Sequence, residues 1–173
     1  GSSATAFPEV CLASTGGGAV ARLSRLSEQL TDWTLGTSEL VSWKSRDGAT
    51  IEGVLRKPAG YVPGQKRPLL VLVHGGPTGT SRPSVVGGNY VYPVEPFLAK
   101  GALILDPNYR GSAGYGEAFR SLNVRNLGVG DAWDVLSGVD HLVQRGLVDP
   151  ARVRREAGER RRLAATDGEV GER

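Results

Sequence analysis

The 173-residue chain is long enough for one ordinary domain, at about 100–200 residues per domain. Its 39% hydrophobic and 23% charged residues are globular proportions, no eighteen-residue apolar run offers a transmembrane helix, and a single cysteine, Cys11, excludes an internal disulfide framework and a multi-cysteine metal site. The formal net charge is +3, but residues 152–173 hold seven arginines against five acids, so the body is almost neutral and carries no electrostatic footprint for nucleic acid.

The sequence contains no methionine, and residues 1–20 lack the basic start and apolar core of a signal peptide. The chain is therefore expected to be processed, trimmed or taken from inside a longer reading frame. Val10–Ala13 and Val20–Leu23 read as short strands around Ser14-Thr15-Gly16-Gly17-Gly18, a hairpin of the kind found at the edge of an all-β unit. Leu40–Trp43 and Thr50–Leu55 are two more strand-like runs, with turn chemistry at Arg46-Asp47-Gly48. Leu69–Val73 is continuously apolar, the pattern of a strand buried on both faces of a parallel sheet. Val94–Lys100 reads as a short helix closed by Gly101, and Ala102–Leu105 as the next strand, which completes a βαβ unit. Asp131–Arg145 is an amphipathic helix with Trp133, Leu136, Val139, Leu142 and Val143 on its apolar stripe, ended by Gly146. From about Val153 the chain is crowded with charge and shows no sustained apolar period, the composition of a disordered tail.

Several motifs bear on chemistry. Gly16–Ala21 formally fits the dinucleotide fingerprint, but its flanks read as a hairpin rather than a buried strand and a long helix. The phosphate-binding P-loop pattern is absent. Asp131 and Asp134 read as acids favoured by a helix N-terminus, and His141 as a surface residue in mid-helix. Ser112, in Arg110-Gly111-Ser112-Ala113-Gly114, lacks the glycine two residues before it that a nucleophile elbow needs. His74-Gly75-Gly76-Pro77 is the stronger signal. It follows a buried strand directly, where α/β-hydrolases place a loop that donates an oxyanion-hole N–H, and its glycines let a carbonyl approach the backbone.

Residues 39–150 resemble the prolyl oligopeptidase family of serine peptidases, in its acylaminoacyl-peptidase-like and dipeptidyl-peptidase-like branch. The resemblance rests on Ser45-Arg46-Asp47-Gly48, Ile51-Glu52-Gly53, the run Leu69–Pro77, Asn108–Gly116, Asn126-Leu127-Gly128, Gly130-Asp131, Asp134-Val135, Gly138-Val139-Asp140 and Val148-Asp149-Pro150. It implies an α/β class: an incomplete α/β-hydrolase sheet of its first four strands. Residues 1–37 would be the end of a β-propeller and linker, 38–153 the N-terminal part of the peptidase domain, and 154–173 a disordered charged tail. It also implies peptide-bond hydrolysis, a short peptide substrate for the full-length enzyme, no cofactor or metal, and no nucleic-acid or membrane partner. Gly76 N–H carries over as an oxyanion donor. The family's nucleophile elbow is expected soon after Val148-Asp149-Pro150, where Arg154-Arg155-Glu156 stands instead. The Ser–Asp–His triad is absent, and the chain by itself is expected to be truncated before the nucleophile and inactive. Without a fifth strand, Leu69–Val73 would be an exposed, aggregation-prone edge. The alternatives are part of an esterase-type α/β-hydrolase, and a non-catalytic fragment or binding module acting through the arginine-rich tail.

Overall fold

The computed structural model describes residues 4–87 and 92–157. Two short strands, β1 (Cys11–Leu12) and β2 (Ala21–Arg22), pair antiparallel at the expected hairpin. A 3-10 turn, Leu26–Leu30, follows and is clasped to the hairpin by Glu9, whose carboxylate accepts from the Ser24 hydroxyl and from the backbone N–H groups of Leu26 and Ser27. The Ser24 hydroxyl first, then the Ser27 N–H, hold Glu9 down from 4.5 to about 2. A carboxylate depressed on folding contributes above its unfolded pKa and loses that contribution as pH falls through the folded value. The clasp should therefore persist below pH 4.5 and open near pH 2. An NMR titration of the Ser27 amide checks this, and a midpoint near 4.5 would contradict it.

Among the described residues the main sheet has five strands: β3 (Thr37–Lys44), β4 (Thr50–Lys57), β5 (Arg67–Val73), β6 (Leu103–Asn108) and β7 (Val148–Ala157), in spatial order β3-β4-β6-β5-β7. β3–β4 and β4–β6 pair antiparallel, while β5 runs parallel to both β6 and β7. Helices α1 (Val94–Ala99), α2 (Glu117–Ser121) and α3 (Gly130–Gln144) complete the described elements. The β3–β4 turn is tight because Gly48 takes φ +88°, which only glycine adopts freely. It lets Gly48 N donate to Ser45 O and Ser45 N to Ala49 O.

β5 explains its own composition. Leu69 and Val71 join one core cluster, with Trp43, Leu55, Leu105, Val139 and Leu142 under α3. Leu70 and Leu72 join the other, with Ile104 and with Val94 and Leu98 of α1. Alternate side chains thus feed opposite faces, and a strand covered on both faces must be apolar throughout. Fully burying each such leucine contributes about 1.5–3 kcal/mol.

Three sequence expectations are corrected here. The sheet has five strands rather than four, so Leu69–Val73 is an interior strand flanked by β6 and β7 and not an exposed apolar edge. Strand β7 supplies the cover by continuing past Val153 to Ala157, with Leu69 opposite Val153 and Val73 opposite Ala157. Among the described residues it is itself the edge, and it presents exposed Arg152 and Arg154, charges of the kind that blunt edge-to-edge association. The stripe on α3 is also rotated. Leu136 is 39% exposed, whereas the buried face is Asp134, Val135, Gly138, Val139 and Leu142. An apolar-only reading misses this, because one of those positions is a paired acid and another a glycine that admits an indole ring. Residues 158–173 of the expected tail lie outside the described residues.

Candidate oxyanion loop

Strand β5 ends at Val73, and His74-Gly75-Gly76-Pro77 leaves the carboxyl end of the parallel part of the sheet. That end is where open α/β sheets bind ligands. Gly75 and Gly76 are exposed, so their backbone is accessible to a carbonyl. Gly76 has φ +120°, and a Cβ there would stand 3.0 Å from Thr78 N. A side chain at this position would be strained and crowded.

The loop is held by the segment after β6. Ala113 N donates to Gly79 O, and the Thr80 hydroxyl to Ala113 O. Asn108, at the end of β6, accepts from Ser81 N at 2.7 Å and donates to Ser81 O at 2.9 Å. The Tyr109 hydroxyl donates to His74 O at 2.6 Å, and its ring stacks on the His74 imidazole with centroids 4.6 Å apart. Burial, and secondarily the charge of Asp131, pushes Tyr109 up to about 12, so it stays a phenol donor. Farther along, Arg56 donates from Nε to Asp106 Oδ2 and from its Nη atoms to Ser84 O and Oγ, which ties the irregular segment past the loop to β4 and β6. Burial raises the Asp106 carboxyl against the pull of Arg56.

His74 and Ser112 come together, with Nε2 3.0 Å from Oγ. The distance alone imitates a base and its nucleophile. The surroundings do not, because Ser112 is 0% exposed and its hydroxyl donates to Tyr109 O at 2.6 Å. Burial lowers the His74 pKa, against a smaller upward push from Gly75 O, and keeps the ring neutral at pH 7. Ser112 ties the two loops together from inside.

Beneath lies a charged network for which the sequence offered no role. Asp134 on α3 is fully buried and accepts from Arg110 N, Arg110 Nε and Arg110 Nη2, and from the Ser45 hydroxyl. Arg110 also forks onto Asp47 of the β3–β4 turn, at 2.7 and 3.0 Å. The Arg110 guanidinium in turn holds the Asp47 carboxyl below the usual range. The reading of Asp134 as an acid favoured by the helix N-terminus is therefore replaced: it is the buried counter-ion of Arg110. The available signal was its placement one turn before Gly138 on the face that continues to Leu142. His141 is half-buried rather than a plain surface residue. Among the described residues no group of three histidine, cysteine or acidic side chains is placed to hold a metal, and no helix is long and apolar enough to cross a membrane.

Sheet and loop together define the class: an α/β-hydrolase-type sheet carrying a glycine-rich turn at the end of a buried parallel strand. Residues 91–155 match the Prolyl oligopeptidase family. The uncharacterized peptidase YuxL of Bacillus subtilis is 31% identical over 121 residues, 69% of this chain and 18% of that protein. An acylaminoacyl peptidase solved in complex with Z-Gly-Gly-Phe-chloromethyl ketone matches with a TM-score of 0.67 at 27% identity, over 81% of this chain and 22% of that one. A puromycin-hydrolyzing peptidase of Mycobacterium tuberculosis matches with a TM-score of 0.71 at 31% identity, over 87% of this chain and 23% of that one. The resemblance read from the sequence therefore holds: residues 91–155 match the prolyl oligopeptidase family, and the chain is similar in sequence and fold to peptidases of that kind. It spans about a fifth of the length of these relatives.

Proposed function

We propose that residues 38–153 form the N-terminal part of a serine peptidase catalytic domain, and that the Gly76 N–H is one of its two oxyanion donors. The observation that supports this reading best is the His74–Pro77 loop, anchored on Asn108–Ala113 at the carboxyl end of β5. Attack on a peptide carbonyl moves negative charge onto its oxygen, and a fixed N–H about 2.7–3.1 Å from that oxygen stabilises the transition state more than the ground state. The hydrogen bonds behind the loop set the donor before the substrate arrives, so little reorganisation is left for the reaction. Gly75 and Gly76 keep side chains out of the carbonyl's path.

The sequence holds no Gly-x-Ser-x-Gly elbow. The nucleophile, its base and the second donor would come from segments other than these residues, and the chain by itself would not hydrolyse peptides. The substrate of the whole enzyme would be a short peptide, in keeping with the peptide-derived inhibitor bound by the relative described above. No cofactor or metal enters this chemistry.

The test exchanges residues 38–153 for the matching segment of YuxL and follows hydrolysis of an acyl-alanine p-nitroanilide. A folded chimera is expected to turn over, and Gly76→Val within it, whose side chain is strained at φ +120° and would turn the N–H away, to lower kcat up to about 10²–10³-fold, the loss seen when one oxyanion donor is taken out of place. A folded chimera without turnover, or one indifferent to Gly76→Val, would overturn the proposal.

A further inference from the structure

Strand β3 is an edge: among the described residues no strand lies beside it opposite β4. Because Ser45 N bonds to Ala49 O, the antiparallel ladder places Trp43 and Val41 in the hydrogen-bonded pairs with β4. Ser42 and Lys44, between them, turn their backbone N–H and C=O groups outward. These groups border a groove of about 490 Å³ between β3 and α3, whose helix side is Ser137, Asp140 and His141.

Two cations stand at the turn end of this edge, whereas Glu39, farther along β3, is already paired with Lys57. Lys44 is exposed and bonds only the neutral Thr50 hydroxyl. Side chains alternate along a strand, so Lys44 stands on the face away from α3, opposite to buried Trp43. Arg46 is exposed on the α3 side, its guanidinium 5.6 Å from the centre of the Trp133 ring. No carboxylate among the described residues bonds to either cation. His141 is kept neutral at pH 7 by burial and by Arg145, and Asp140 is the one acid in the wall.

We propose that the β3 edge is a docking site for an acidic, extended protein segment, which adds as a sixth strand. Outward backbone groups at Ser42 and Lys44 would supply the ladder bonds, and cations on both faces of the edge would select acidic residues in the incoming strand. A strand is preferred to a small anion because the groove borders the outward backbone of Ser42 and Lys44, which an incoming strand can pair and a lone anion cannot. This site is separate from the Gly76 loop and does not depend on the peptidase reading.

The probe is acetyl-Thr-Glu-Thr-Glu-Thr-Glu-amide, titrated into the ¹⁵N-labelled chain at low salt. Saturable amide shifts are expected at Leu40–Arg46 and Ser137–Gln144, with binding weakened at least tenfold by Lys44→Glu with Arg46→Glu. Asp140→Lys, an exposed change that does not threaten the fold, should tighten it. A peptide N-methylated at alternate residues, and the Thr-Lys counterpart, should both bind at least tenfold more weakly. Absence of saturable shifts, equal binding by either control peptide, or full displacement by equimolar inorganic phosphate would overturn the proposal.

Discussion

Asp134→Ala should destabilise the chain by about 3–5 kcal/mol, the range for stripping the partner from a buried charge. The substitution leaves Arg110, itself only 2% exposed, with the Asp47 carboxylate on one side and nothing on the other. The Ser45 hydroxyl loses its acceptor and Arg110 N its bond in the same step. Because the network joins the β3–β4 turn, the end of β6 and α3, the loss should also loosen the segment that carries Tyr109 and Ser112. Urea unfolding measures the stability, and amide exchange at Ala113, whose N–H bonds to Gly79 O, reports the loop. Replacing both charges, with Asp134→Leu and Arg110→Met, should cost clearly less than the sum of the single changes, since neither charge is then stranded. Additive losses would mean that the two residues stabilise the fold independently.

Trp43→Ala should cost a similar amount, about 3–5 kcal/mol, through lost burial and the cavity left behind. Trp43 is 4% exposed and its indole lies between two glycines. A Cβ on Gly138 would stand 2.7 Å from the ring, and one on Gly53 would stand 2.9 Å from it. Its Nε1 donates to Asp134 O at 2.8 Å, so the ring also fixes the height of α3 over the sheet. Gly138→Ala therefore acts on the same contact from the other side and should cost about 1–3 kcal/mol by overpacking. Chemical unfolding of both variants checks the pair. A neutral Gly138→Ala would show that α3 can slide away from β3 without loss.

The legible parts of the fold were those in which hydrophobic pattern decides structure. Leu69–Val73, Ala102–Leu105 and Thr50–Leu55 were placed within a few residues because their burial is written in unbroken or alternating apolar runs. The hairpin around Gly16–Gly18 and the βα turn at His74 were marked by their glycines. The sequence reading failed where polar residues are buried by pairing. Asp134, Arg110 and Ser45 look like surface residues one at a time, and their burial is intelligible only once the topology brings three distant segments together. Trp43 and Gly138 are 95 positions apart, and nothing local says that one fits against the other. The fifth strand was missed for a related reason. Arg152–Arg155 has the composition of a solvated tail, yet as an edge strand β7 needs only one well-covered side, and backbone pairing to β5 supplies it. At the candidate site, the position and glycine chemistry of Gly76 were legible, whereas the scaffold from Asn108 and Tyr109 was not.

The proposed oxyanion loop has no nucleophile beside it in these residues, and Ser112 is an internal tie. The most direct measurement is to treat the folded chain with a fluorophosphonate, which phosphonylates activated serines, and to read the adduct by mass spectrometry. The account predicts no adduct on Ser112 while the chain is folded, since its hydroxyl is fully buried and donated to Tyr109 O. Stoichiometric labelling of Ser112 that depends on His74 would contradict it, and would make the His74–Ser112 pair the reactive centre.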